Sequence, residues 1–380
     1  MLNPAESGTF RDHSATDAAE RIEGSAMTTL ATWARPHHSD VRSRRRRRFG
    51  NDGGAPVEVM EGAPSLAGRL LSFGARHALR PVLSIGTQLP VPWPYGALDF
   101  VARALPPSPG TVLSTVELAN CTAQLIRAKG VQSADGTGRV ILFLHGGAFL
   151  AGGKHTHARL CSVLSRLADA PVLLVDYRLL PKHSLGQAID DCEDGYYWLR
   201  EIGYEADQIV LAGDSAGGYL SLALAERLLG DGEHPAALVA MSPLLQLGAA
   251  SKQAHPNIHS DALFASGVFD FLNGLIEKAA ARRVIDGTPE AIIEPLERVE
   301  RGLPKTLIHV SGSEVMLHDA RLGARRLADA GVQVEVRIWP GQLHGFQIAA
   351  GLVPEADRSL RQIADYIREA TPEYLREVAS

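Results

Sequence analysis

Cysteine is scarce in this 380-residue chain: Cys121, Cys161 and Cys192 stand far apart with no CxxC pair. That excludes a zinc framework and an even disulfide set, and the spacing fits a reducing compartment. Lysine is scarce as well, six of 38 basic residues, a skew toward arginine that carries no functional content. A surplus of either charge is also missing. Against the 38 basic residues stand 43 acidic ones, for a formal net charge of -5, so nothing draws the chain as a whole to nucleic acid. Two charge-free stretches, Pro81 to Leu98 and His234 to Ser251, approach the length of a bilayer span. The first holds Pro81, Pro90, Pro92 and Pro94 and the second Pro235 and Pro243, which break helices, so no membrane span is expected. Internal repeats, a P-loop and a dinucleotide fingerprint are absent as well. With 45% apolar residues, what is left is the composition of a soluble globular protein with a large core.

The chain divides by pattern. Residues 1 to 55 are polar and charge-segregated, with acids early and then Arg42 and Arg44 through Arg48, and read as a disordered tail. No apolar segment follows the arginines, so no export signal is read there. Residues 56 to 110 contain two apolar segments with helical spacing, Leu66 to Leu83 and Ala97 to Leu105, read as a cap or lid element. Val112 to Ala128 alternates β-branched residues as one or two strands at a sheet edge do. From residue 111 to 380 the pattern becomes α/β, with a further cap contribution near 250 to 300. Short apolar strands are predicted at Val140 to Leu144, Val172 to Val175, Ile209 to Ala212, Leu238 to Met241, Leu307 to Val310 and Val332 to Ile338. Between them, helices are predicted at Ala158 to Ala168, Gln187 to Arg200, Gly217 to Leu229, Asp319 to Ala330 and Glu355 to Glu369. Continuous apolar strands alternating with helices mark a mostly parallel sheet covered on both faces.

The chemistry concentrates in a few loops. Gly213, Asp214, Ser215, Ala216 and Gly217 follow a predicted strand and open a predicted helix, the context in which G-x-S-x-G forms a nucleophile elbow with the serine hydroxyl exposed. His145, Gly146, Gly147, Ala148 and Phe149 follow the strand Val140 to Leu144. Backbone N–H groups of Gly146, Gly147 and Ala216 are the expected oxyanion donors. A serine needs a base and an orienting carboxylate. His344 lies on a glycine-flanked loop just past Trp339 and is the candidate base. His309 sits inside a strand and is read as a strand residue. Glu314 is the first carboxylate past the strand Leu307 to Val310, 30 residues before His344. Its rival Asp319 is better placed to open the following helix. Phe149, Tyr219 and Leu263 to Leu272 are candidate pocket walls, with plain core as the alternative. His155 and His157, two apart, make a poor metal pair and are read as a solvated loop.

The runs HGGAF (145 to 149), DYRL (176 to 179), GDSAGG (213 to 218), SGSEVMLHD (311 to 319) and LHGF (343 to 346) resemble the hormone-sensitive-lipase branch of the α/β-hydrolases, the bacterial family IV esterases. The similarity runs from about Pro64 to the C-terminus. It implies an α/β-hydrolase fold with a helical cap built from N-terminal and inserted segments. It also implies cleavage of carboxylic esters of short to medium acyl chain by Ser215, Glu314 and His344. His145 would support the oxyanion loop, and Arg178 would tie loops near the elbow. The acid is Glu where many members have Asp, the segment Leu180 to Gly186 lacks a Pro-Phe-Pro run, and Ala148 replaces a third glycine. No cofactor and no metal is implied. The expected partner is a small-molecule ester, with no nucleic acid and with a homodimer admitted. The expected location is cytoplasmic, with membrane or cell-envelope association as the alternative. Acyl transfer, hydrolysis of lactones, carbamates or amides, and a non-catalytic ligand receptor on the same fold stand as rival functions.

Overall fold

The computed structural model describes residues 55–86 and 106–372. In chain order the elements are β1 (Val57–Met60), α1 (Leu66–Gly74), a π-helical turn (Ala75–Leu79) and α2 (Arg80–Gly86). Then follow β2 (Val112–Glu117), β3 (Thr122–Arg127), β4 (Val140–Leu144), α3 (Lys154–Ala168), β5 (Val172–Asp176), α4 (Leu185–Glu201), β6 (Ile209–Asp214), α5 (Ala216–Gly230) and β7 (Ala237–Met241). The chain continues through α6 (Ala250–Ala254), α7 (Gly267–Arg282), the small hairpin β8 (Val284–Ile285) and β9 (Thr288–Pro289), β10 (Thr306–Ser311), α8 (Leu317–Asp329), β11 (Val334–Trp339) and α9 (Pro354–Ala370).

Among the described residues one sheet has nine strands in the order β1-β11-β10-β7-β6-β4-β5-β3-β2. All neighbours are parallel except β3 with β5 and β2 with β3. This is the mostly parallel α/β sheet expected from the run of apolar strands, and the predicted edge at Val112 to Ala128 is the antiparallel pair β2 and β3. Every residue of β4 is buried, and its period of two sorts the side chains. Val140, Leu142 and Leu144 join the core layer that includes α4, α5 and α8, whereas Ile141 and Phe143 join the layer beneath α3 and α9. The winding reverses between β4 and β6, adjacent strands whose following helices lead to opposite sides of the sheet order. Such a switch point leaves a crevice beyond the carboxyl ends of the strands, the usual ligand position in an open α/β sheet.

Two features depart from the sequence-based expectations. Segment 56 to 110, read as a helical cap element, begins with β1, which pairs with β11 at the sheet edge. Four residues, three of them exposed, carry too little periodic signal for a strand to stand out, and the partner that orders them, the stretch Glu335 to Ile338, lies at the far end of the chain. The helix expected over Leu66 to Leu83 is present as α1, the π turn and α2. Ser65 caps it, its Oγ accepting from the Gly68 N–H at 3.1 Å. The predicted helix Ala97 to Leu105 and the tail up to residue 54 lie outside the described residues. Between β7 and β10, the stretch expected to contribute to a cap forms α6, α7 and the β8–β9 hairpin.

Candidate active site

The elbow is built by steric necessity. Ser215 sits between β6 and α5 with φ 52° and ψ -116°, a strained conformation for a residue with a side chain. A Cβ on Gly217 would meet the Leu144 carbonyl oxygen at 1.8 Å, so only glycine lets α5 approach β4 this closely. The backbone of Ser215 is tied down from both sides: its N–H donates to Met241 O at 2.9 Å and its carbonyl accepts from the Leu244 N–H at 3.0 Å. Ala216 is the first residue of α5, where the backbone N–H has no intrahelical acceptor.

On the adjacent strand, the loop after β4 turns through Gly147 at φ 121°, Ala148 at 54° and Phe149 at 59°. A Cβ at Gly147 would lie 2.0 Å from Ala151 O. His145 stacks on Tyr177 with centroids 4.2 Å apart, and the Tyr177 hydroxyl donates to His145 O at 2.6 Å. This contact gives the DYRL run its structural role beside the oxyanion loop. One expected donor is overturned. The Gly146 N–H donates to Asp214 Oδ1 at 2.9 Å, so it is already committed to a carboxylate and is not available to a substrate oxygen. Gly147 is the expected loop donor left without such a commitment, and Ala148 carries the next N–H along the turn.

Asp214 accepts from a second side as well. His157 Nε2 lies 3.1 Å from its Oδ1. Burial pushes the Asp214 carboxyl upward, but His157 and the Gly146 N–H outweigh it and hold it below the ordinary carboxylate range. His157, expected on a solvated loop, is therefore a buried residue of α3 that helps Asp214 grip the oxyanion loop. The two-residue spacing from His155 gave no hint of this, because the partner is 57 positions away. Among the described residues no group of His, Cys, Asp and Glu is arranged to hold a metal ion.

At the same edge of the sheet, the loops after β10 and β11 bring Glu314 and His344 together. His344 Nδ1 pairs with Glu314 Oε2, and both side chains are nearly inaccessible. Glu314 Oε1 accepts from the Ser311 N–H at 2.7 Å and from the Ser242 hydroxyl at 2.7 Å. Burial disfavours a charged imidazole at His344, yet the facing Glu314 charge and hydrogen bond prevail and raise its pKa above the ordinary histidine value. Ser215 is held at this edge of the sheet by its backbone contacts to Met241 and Leu244.

Several supporting residues were not legible in the sequence. Ser242, at φ 47° just past β7, also accepts from the Gly345 N–H at 3.1 Å, so one hydroxyl joins the acid loop to the base loop. Asn257 donates to the carbonyls of Gly312 and Glu314 at 3.0 and 2.8 Å. Asp261 accepts from Val315 N–H at 2.9 Å and from Leu263 and Phe264 N–H at 2.7 and 2.8 Å. The insertion between β7 and β10 thus grips the acid loop at both sides of Glu314. It also lays Phe264 edge-to-face on His344, with centroids 4.7 Å apart.

The remaining candidates fall into place as structure. Asp319 is in the first turn of α8 as expected, but it is fully buried, 3.1 Å from Lys252 Nζ, and accepts from the Leu245 and Gln246 N–H groups. It fastens the loop after β7 and does not meet His344. His309 is a buried strand residue, its Nδ1 accepting from Trp339 Nε1 at 3.2 Å. Arg178 pairs with buried Asp191 of α4 at 2.7 Å. Phe149 and Tyr219 are buried in the main core, edge-to-face at 5.3 Å, and the Tyr219 hydroxyl is bonded to Ile293 O.

Comparison with known proteins agrees with this geometry. A family model described as alpha/beta hydrolase fold matches residues 141–348. The chain belongs to that family. It is 58% identical over 319 residues to the carboxylesterase/phospholipase LipF of Mycobacterium tuberculosis, covering 84% of this chain and 86% of LipF. It is 63% identical over 295 residues to the esterase LipU of the same organism, covering 77% of this chain and 99% of LipU. A crystal structure of an esterase from the bacterial hormone-sensitive lipase family superposes with a TM-score of 0.68 at 27% identity, covering 82% of this chain and 100% of that one. The membership is therefore in the hormone-sensitive-lipase branch.

Proposed function

We propose that this chain is a serine carboxylic ester hydrolase working through an acyl-enzyme, with Ser215 as nucleophile, His344 as base and Glu314 as the orienting acid. The observation that carries it is the buried Glu314–His344 pair, on loops after β10 and β11 of the same sheet whose β6 leads into the strained Ser215 elbow. The names of LipF and LipU support the same activity. His344 takes the Ser215 proton as the hydroxyl attacks the ester carbonyl. Glu314 keeps the imidazole oriented and favours the imidazolium that forms. The Ala216 and Gly147 N–H groups, joined by Ala148 in place of Gly146, hold the tetrahedral oxyanion. The alcohol leaves with the His344 proton, and a water activated by the same histidine releases the acid.

We read the substrates as esters of short to medium acyl chain, and Phe264 packs on His344 from the segment between β7 and β10. A second substrate class is favoured by the LipF name, the ester bonds of phospholipids. A series of nitrophenyl esters graded by acyl length, run beside phospholipid hydrolysis, ranks the two. Ser215→Ala is expected to lower kcat by about a million-fold, the scale seen when such a nucleophile is removed, and to abolish labelling by a fluorophosphonate. Residual turnover near that of the unmutated enzyme, or absence of a covalent adduct on the folded protein, would refute the mechanism.

A further inference from the structure

The helical segment that starts at Leu66 leaves an unusual amount of apolar side chain in water. Leu66 is 73% exposed, Leu70 62% and Phe73 63%, and the second half adds Leu79 at 51%, Val82 at 49% and Ile85 at 57%. Leu66, Leu70 and Phe73 recur at the i, i+4, i+7 spacing that shares one helix face. The opposite side is what packs: Gly68, Ala75 and Gly86 are its buried residues. This packing side lies against the catalytic loops. The Ser72 hydroxyl donates to Gly341 O at 3.1 Å, three residues before His344, and Ser65 bonds to Glu355 at the start of α9.

The charge of this segment is one-sided. From Gly62 to Gly86 it carries Arg69, Arg76, Arg80 and His77 and no acidic residue, in a chain whose net charge is -5. Arg76 and Arg80 donate to the carbonyls of Ser260, His259 and Ile258, neutral acceptors that do not cancel their charge, and Arg69 is exposed. Further upstream the sequence adds Arg42 and Arg44 through Arg48. An exposed apolar stripe beside arginines is the pattern of a helix lying in a lipid interface, where apolar insertion and basic charge act together. A second copy of the chain is a poor occupant. A two-fold contact would set the same arginines against one another across a desolvated face.

We propose that the exposed face of Leu66–Ile85 docks the enzyme on an anionic lipid bilayer, with Leu66, Leu70 and Phe73 entering the headgroup boundary next to the catalytic loops. This goes beyond ester hydrolysis and does not depend on it. The test is flotation of the full chain with vesicles of phosphatidylcholine alone and of phosphatidylcholine mixed with phosphatidylglycerol. The expected result is binding to the anionic vesicles that salt weakens. The double variant Leu70→Asp, Phe73→Asp lowers the partition ratio by at least about a hundredfold, as loss of two buried apolar side chains requires. Arg69→Glu lowers binding to the anionic vesicles selectively. Hydrolysis of a soluble short-chain nitrophenyl ester stays at the wild-type rate in all three proteins, which reports that the fold and the Ser215 site are intact. No binding to either vesicle, equal binding to both, or binding that the double variant retains would overturn the proposal. A dimer in light scattering that the same double variant dissolves would overturn it too, by assigning the face to a second copy.

Discussion

Changing Glu314 to Gln separates the two carboxylates near the base by a signature in pH as well as in rate. The substitution keeps the size of the side chain and removes its charge. In the wild-type site, burial alone would lower the His344 pKa, and the Glu314 charge and hydrogen bond reverse that sign. In the glutamine variant those raising contributions vanish, and burial remains, opposed only by the smaller pulls of Asp261 and Asp214. His344 acts as a base only when neutral, so wild-type kcat/KM falls as pH drops through a pKa above 6.5. In Glu314→Gln that acid limb moves to lower pH, even as the rate itself collapses. The amide also offers an N–H to Nδ1, favouring the wrong tautomer, a change worth about 10⁴ in kcat in the serine-protease counterpart, or about 5.4 kcal/mol of barrier. Asp319→Asn is the paired control. It breaks a fully buried ion pair with Lys252, which costs about 3–5 kcal/mol of stability and leaves the acid limb in place. Stopped assays of a nitrophenyl ester across pH, with urea unfolding of each variant, read both quantities. A wild-type acid limb in Glu314→Gln, or a larger kcat loss in folded Asp319→Asn, would refute the assignment.

Two further changes test the surroundings of the site. Ser242→Ala removes one of two hydrogen bonds to Glu314 Oε1 and leaves the Gly345 N–H without its acceptor. A hydrogen bond to a charged group is worth about 1.5–3 kcal/mol, so kcat is expected to fall about ten- to a hundredfold with KM little changed, and an unchanged kcat would show that Ser242 does not position the acid. His309 is buried and its pKa is driven well below 6.5 by burial, with Arg337 adding to the effect. The unfolded chain therefore binds a proton that the folded one refuses. This group's stabilisation is complete above about pH 6.5 and is lost at about 1.4 kcal/mol per unit as pH falls below it. Urea unfolding of wild type and His309→Gln at pH values of about 7.5 and about 5.5, on either side of the ordinary histidine pKa, should show the smaller pH dependence in the variant, and equal slopes would place the proton elsewhere.

Much of the α/β frame was legible because parallel strands buried on both faces must be continuously apolar, and β4, β7 and the Ile209–Ala212 part of β6 are. The elbow was legible because the close approach of α5 to β4 demands glycine at a fixed offset from the serine. His344 and Glu314 could be named because each lies just beyond the end of a strand in a fixed chain order. The fate of Gly146 could not be read in the same way. Its N–H and that of Gly147 look alike in sequence, and only the turn geometry spends the first on Asp214. The two-residue spacing of His155 and His157 likewise concealed that one of them points into the core beneath the elbow.

Apart from β1, the sequence by itself determined which main segments become strands and helices, where the tight turns fall and which residue types stand ready for acyl chemistry, since those depend on short-range sterics and periodic burial. Tertiary structure alone decided the partners. Ser242, Asn257 and Asp261 reach Glu314 and its loop from 54 to 72 positions away, and Lys252 reaches Asp319 across a similar gap, because β7 lies beside β10 in the sheet. Hydrogen bonds and buried charges act over about 3 Å in space, and that distance exists only once the strand order has been set.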